Sequence, residues 1–259
     1  MTAGKLFLLF LIYAFIGWII EVIAKKIELG KFINRGFLIG PYLPIYGCGG
    51  LLITLTLTRY YDSPITLFVM ALFICSVLEY FTSYILEKLF NARWWDYSTK
   101  KFNINGRICL NTMAAFGALG CVVVYILNPL IFKMFSFWAE NIISVVSVIL
   151  GLVFIFDVVV SLKIMSNFKM ATMQFKYKDN TEEITKKVKE LIASKSFFNK
   201  RLIDSFSGLT VVINGIKNEL EKTKKELKKA KKELKKVTKL ARKKDIKIEK
   251  MNKKNKRLK

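Results

Sequence analysis

The sequence has no histidine, and only four cysteines and four prolines among 259 residues. Without histidine, Ser-His-Asp and Cys-His catalysis, zincin motifs and any metal or haem held by imidazole are excluded. Cys48, Cys75, Cys109 and Cys121 lie in or beside apolar runs with no C-x-x-C pair, so they read as small buried hydrophobes in a reduced setting. No G-x-x-x-x-G-K-[ST] occurs, and any ATP hydrolysis must come from another chain. No cofactor or metal is implied. Acidic residues are also scarce, 19 against 43 Lys and Arg, for a net charge of +24.

What is abundant is apolar surface. Hydrophobic residues make up 53% of the chain and aromatic ones 14%, with a mean hydropathy of +0.34. So greasy an average beside so much charge requires the two to be segregated along the chain. Through Met165 there are 13 basic and 8 acidic residues, and the remaining 94 residues hold 30 and 11. The pattern predicts a transmembrane domain over residues 1–165, a juxtamembrane helical segment over 166–208 and a lysine-rich coiled coil over 209–259.

A hydrocarbon core about 30 Å thick needs roughly 20 apolar helical residues. Five stretches meet or approach this: Leu6 to Ala24, Phe37 to Thr58, Pro64 to Leu89, Ile108 to Phe132 and Asn141 to Leu162. The expected fold is therefore all-α, a five-helix transmembrane bundle followed by a basic cytosolic tail. The first stretch lacks a small-x-small cleavage site, and Lys25 and Lys26 follow it, so it reads as a retained span. The second is crowded by Gly40, Pro41, Pro44, Gly47, Gly49 and Gly50, which predicts a broken or partly re-entrant lead-in at residues 36 to 47. Lys25, Lys26, Lys31 and Arg35 follow span one, and Lys88, Arg93, Lys100, Lys101 and Arg107 follow span three. The alternate side has Lys5, Arg59 and Lys133. Basic loops stay in the cytoplasm, so the amino terminus is expected outside and the carboxyl tail inside a cytoplasmic membrane.

Four carboxylates lie in or at the edges of these spans: Glu21, Glu79, Glu87 and Asp157. At the centre of a lone helix each costs at least about 2.5–3.5 kcal/mol, so such groups face the bundle interior or water. Glu21 and Glu87 sit near helix ends, within reach of headgroups or lysines. Glu79 and Asp157 lie deeper. Ser76, Glu79, Ser83 and Glu87 share a face at steps of three and four, and Ser147, Gly151, Asp157 and Ser161 form a second stripe. Both point to a shared polar chamber in the cytoplasmic half. Arg35 and Arg107 are the partners of the right sign, and such an arginine serves equally to hold a bundle together or to bind an anionic group. The small residues Ala114, Ala115, Gly117, Ala118 and Gly120 read as close helix packing. Trp18, Trp94, Trp95 and Trp138 fit interfacial belts.

Three motifs follow in order: Asn34-Arg35-Gly36-Phe37-Leu38-Ile39-Gly40-Pro41-Tyr42-Leu43-Pro44-Ile45-Tyr46-Gly47; Leu78-Glu79-Tyr80-Phe81-Thr82-Ser83-Tyr84 with Glu87-Lys88-Leu89-Phe90; and Arg93-Trp94-Trp95-Asp96-Tyr97 with Phe102-Asn103-Ile104-Asn105-Gly106-Arg107. Over roughly residues 5 to 165 the chain resembles the Putative ABC-transporter type IV (CmpB-like) membrane proteins of Firmicutes. The resemblance implies a permease-like membrane subunit that works with a separate ATPase. Carried over residue by residue, it marks Asn34, Arg35, Tyr46, Glu79, Asp96, Asn103 and Arg107 as chamber positions beside Asp157, and Gly40, Pro41, Pro44, Gly47, Trp94, Trp95 and Gly106 as structural ones.

Beyond Met165, Phe168, Met170, Met173, Phe175 and Tyr177 alternate with Lys169, Lys176 and Lys178, a pattern suited to the inner leaflet. From Ile213 a heptad runs to the end, with Ile213, Leu220, Leu227, Leu234, Ala241 and Ile248 at one core position. Its flanks are nearly all lysine, so a homo-oligomer would need screening, and an acidic partner, lipid, nucleic acid or the ribosome would steady it. Three classes of function follow: a membrane subunit of a transport or envelope assembly without its own ATPase, an integral-membrane enzyme on lipid or cell-wall precursors, and a scaffold or insertase-like factor recruiting a partner through the coil.

Overall fold

Helices form where the apolar runs predict them. The computed structural model describes residues 1–90, 92–173, 186, 189–190, 197–206, 210–211 and 227. Helix α1, Ala3–Leu29, starts at Thr2, whose hydroxyl accepts from the Lys5 N–H, and stops at Gly30 in the left-handed conformation (φ 68°). Helix α2 is Pro44–Leu57, extended by a 3-10 turn at Thr58–Tyr60. Helix α3 is Pro64–Phe90, and α4, Leu110–Val122, continues through a π turn at Val123–Leu127 into α5, Asn128–Phe137. The π turn stands where Pro129 removes a backbone donor and leaves the carbonyl one turn earlier unmatched. Helix α6, Glu140–Met173, is the longest among the described residues at 34 residues, and α7 is Phe197–Ser205.

Among the described residues, four rods are long and apolar enough to cross a membrane: Ala3–Leu29, Pro64–Phe90, Leu110–Phe137 and Glu140–Ser166. The five-span reading is reduced at its second stretch. Residues 31–43 carry no helix, because Pro41 and Pro44 lack the donors a helix needs and the residue before each proline is driven toward extended backbone. What remains, α2, has 14 residues and is about 21 Å long. The all-α expectation is modified by two short antiparallel ladders. Strand β2, Asn103–Ile104, pairs with β3, Ile108–Cys109, and β1, Ala92–Arg93, pairs with β4, Thr210–Val211.

Helix α2 nests against α1 because glycine is present at the contacts. A Cβ on Gly17 would lie 2.2 Å from the Tyr46 ring, and one on Gly50 would lie 2.3 Å from Tyr13. Leu8, Leu9, Ile53, Leu57, Leu67, Ala71, Val124, Ile131 and Ile143 form an apolar core toward the amino-terminal end of α1. Outward, Ile65, Phe73, Phe81, Val145, Leu152 and Phe156 are exposed, as a hydrocarbon solvent favours.

The chain divides into two compact units, Met1–Val212 and Ile213–Lys259. In the second, Leu227 is helical and exposed, and the rest of the heptad lies outside the described residues. Of the predicted leaflet-facing stretch, α6 continues to Met173 and residues 174–178 lie outside them too.

Candidate functional site

Most of the buried and half-buried charged side chains of the bundle gather at one end, where α1 and α3 finish, α2 and α4 begin, and the middle of α6 passes. Asp157 is the first centre. Its Oδ1 accepts from the Ile39 N–H at 2.9 Å and the Ser161 hydroxyl at 2.8 Å, and its Oδ2 from the Gly40 N–H at 2.7 Å and the Tyr42 hydroxyl at 2.5 Å. The irregular stretch before α2 leaves its amides without helical partners, and this carboxylate supplies them. Gly40 is required where it stands, since a Cβ would lie 2.4 Å from the Tyr42 ring. Leu43 closes the stretch by donating its N–H to the Ala14 carbonyl at 2.9 Å, which sets Pro44 at the first turn of α2.

Arg35 and Glu21 form the second centre. The Arg35 Nε donates to Glu21 Oε2 at 3.2 Å, and the Tyr46 hydroxyl donates to Glu21 Oε1 at 2.9 Å. The other face of Arg35 is held by α7: it donates to the Ser205 carbonyl and lies 5.6 Å from the centre of the Phe206 ring. Arg201 reaches the Gly36 and Leu38 carbonyls, and the Ser205 hydroxyl reaches that of Asn34. Burial lowers the Arg201 pKa from the ordinary guanidinium value. Asn34 also accepts from the Trp18 indole at 2.7 Å and donates to the Ile39 carbonyl at 3.2 Å.

The third centre lies along α3. Arg107 Nη2 is 3.0 Å from Glu87 Oε2, which also accepts from Arg93 Nε at 3.1 Å. Arg107 donates to Ser83 at 3.3 Å, and its guanidinium lies over the Tyr84 ring at 5.4 Å. Two turns before Glu87, Glu79 accepts from the Tyr97 hydroxyl at 3.4 Å to Oε1, and the Thr112 hydroxyl faces it from α4. Burial, with the neighbouring carboxylates, pushes the Tyr97 phenol well above its ordinary range, so it acts as a donor.

The loop that carries Tyr97 and Arg107 is shaped by the third motif. Asp96 accepts from the Ser98 N–H at 2.9 Å and from Arg93 at 3.4 Å, and Tyr97 N–H donates to the Gly106 carbonyl at 2.7 Å. Asn103 bonds to the Ser98 and Lys100 carbonyls and to the Gly106 N–H. Gly106 has φ +66°, and a Cβ there would lie 2.5 Å from Asp96 Oδ1. Trp95 donates its indole N–H to the Arg107 carbonyl at 3.2 Å. Asp96 and Asn103 therefore build the loop from its edge and do not line the chamber. Trp94 is buried between Phe90 and Phe206, at 6.1 and 4.8 Å between ring centres, so it packs the chamber floor and is no interfacial belt residue.

The stripe on α3 reaches this end of the bundle, but of the α6 stripe only Asp157 and Ser161 do, since Ser147 lies beside Gly4 and Gly151 beside Phe7 near the amino-terminal end of α1; the pairing also differs from the one expected. Arg35 takes Glu21 and Arg107 takes Glu87, the two carboxylates assigned to headgroups, while Glu79 and Asp157 pair with neither arginine. Sequence reading also missed Tyr42, and a buried triad in the apolar half. There Tyr13 donates to Asn128 Oδ1, Thr54 does so at 3.1 Å, and the two hydroxyls are 3.0 Å apart. A mid-span Asn-Pro pair after the π turn was the available signal.

A family model described as Putative ABC-transporter type IV matches residues 8–162, more than half of the chain. The chain belongs to that family. No curated protein and no solved structure gives a significant match. The family match covers Glu21, Arg35, Tyr42, Tyr46, Glu79, Glu87, Tyr97, Arg107 and Asp157, and stops short of α7. With four apolar rods of spanning length, the family member is a multi-pass membrane protein.

Proposed function

We propose that the chain is the membrane-embedded subunit of a transport assembly in the cytoplasmic membrane, with nucleotide hydrolysis supplied by a separate ATP-binding cassette chain. The observation that carries this reading is a cluster of ion-paired and tyrosine-bonded carboxylates, buried or half-buried at one end of the bundle, on residues inside the family match. A bundle needing only stability would do as well with apolar residues there, because a buried pair seldom outperforms a hydrophobic replacement. In this reading α2 is a thin fifth crossing. Its support is that α2 runs back along α1, with Tyr46 beside Gly17 and Thr54 beside Tyr13. The basic loops after α1 and α3 then face the cytoplasm, the amino terminus lies outside and the +19 tail is cytosolic.

The test is an affinity purification from detergent-solubilised membranes at ~0.15 M salt and again at high salt. The full chain is compared with one ending at Gly208. An ATP-binding cassette protein retained under all conditions is the expected result. Recovery of ribosomes or acidic proteins alone, lost with salt or truncation, would replace transport by a scaffold role resting on the tail.

A further inference from the structure

Of the buried carboxylates at this end of the bundle, Glu79 is the one whose charge is not balanced. Glu21 is matched by Arg35, and Glu87 by Arg107 and Arg93. Asp157 feels the Arg201 charge and receives four hydrogen bonds, two of them from backbone amides. Glu79 is 6% exposed, its Oε1 accepts a long hydrogen bond from Tyr97, and its Oε2 has no partner among the described residues. One turn earlier on the same stripe, Ser76 is 3% exposed and its Oγ is likewise without a partner. The groups facing Glu79 do not neutralise it. They are Glu21 from α1, Tyr46 from α2, Cys75 on α3, Tyr97 from the loop and the Thr112 hydroxyl from α4, which donates to the Cys109 carbonyl at 2.9 Å. Arg107, which meets the stripe at Ser83, is committed to Glu87.

A carboxylate out of water with no cation and a weak donor is too costly to persist as a bare charge. Its missing partner is positive and small enough for a closed interior. We infer that Glu79 Oε2 and Ser76 Oγ form a binding site for a small monovalent cation, a proton or an alkali ion. Both satisfy the same chemistry, neutralisation of one carboxyl oxygen with a hydroxyl as second ligand. The site stands independently of the transport reading, since it requires only the full chain, and a cation can bind whether or not an ATP-binding partner exists.

The experiment measures Tm of the purified full chain in detergent, in sodium, potassium and choline chloride at equal ionic strength, and across a pH series in choline. A ligand bound only by the folded chain raises Tm, here by about 2 to 4 °C at saturating concentration for a chain of this size. An alkali ion gives a rise in sodium or potassium over choline, and a proton gives a rise on acidification without alkali dependence. In either case Glu79→Gln, which keeps the shape and removes the charge, abolishes the response, and Ser76→Ala weakens it. A wild-type Tm indifferent to both cation and pH overturns the inference without recourse to any variant. So does a response that Glu79→Gln leaves intact.

Discussion

Arg107 and Glu87 face each other at 3.0 Å across the junction of the loop and α3, with side chains 8% and 15% exposed. Removing one partner strands the other in a low-dielectric site, at a cost of about 3 kcal/mol, whereas an apolar pair of similar volume is close to neutral. Glu87→Gln should therefore lower unfolding stability in a denaturing-detergent titration by that order. Glu87→Leu combined with Arg107→Met should recover most of the loss, because Arg93, the other partner of Glu87, keeps Asp96. Equal losses in the single and double variants would show that the pair does not act as a unit.

Asp157 fixes the stretch before α2 through the Ile39 and Gly40 amides. Asp157→Asn keeps the size but turns one acceptor oxygen into a donor facing those amides, which costs about 1–3 kcal/mol. Hydrogen exchange should quicken at Ile39 and Gly40 while the interior amides of α2 stay protected. Unchanged exchange at both positions would mean that the loop is held by other contacts.

These two centres show what was legible in the sequence. The Ser76-Glu79-Ser83-Glu87 stripe could be read because helical periodicity is local, and each of its members lies on the inner face of α3. Which arginine meets which carboxylate could not, since Arg35 meets Glu21 only after the chain has turned back through Gly30 at positive φ. Span two was overestimated because hydropathy counts Phe37 to Leu43 as apolar while Pro41 and Pro44 forbid the helix there. The Tyr13, Thr54 and Asn128 triad joins three separate helices and has no spacing to detect. Two-residue strands carry too little pattern to be seen at all.

Helix α7 covers the chamber floor through Phe206 on Trp94, 4.8 Å between ring centres. Truncating a buried phenylalanine costs about 3–5 kcal/mol, which opens the floor over Trp94 even though Arg201 and Ser205 still tie α7 to the stretch before α2. In a chain whose other tryptophans are replaced by phenylalanine, Phe206→Ala should raise quenching of Trp94 by acrylamide severalfold. If quenching does not change, the floor is closed without α7.

Helix α2 offers a test of its packing register within two adjacent residues. A Cβ at Gly50 would fall 2.3 Å from the Tyr13 ring, inside the face pressed on α1. At Gly49 the nearest atoms, Cys75 Sγ and a Leu78 methyl, are both 3.7 Å away, an ordinary contact distance. Alanine gains up to about 1 kcal/mol over glycine in a helix interior, and a forced overlap in a packed interior loses about 1–3 kcal/mol. Gly49→Ala should then be neutral or stabilising and Gly50→Ala destabilising, although hydropathy treats the two as the same change. The displaced Tyr13 ring would also disturb its bonds to Thr54 and Asn128, so Gly50→Ala should lose additional stability that Gly50→Ala combined with Tyr13→Phe does not lose again. Equal effects of alanine at 49 and 50 would place α2 in a different rotation against α1, and with it the position of Tyr46 beside Glu21.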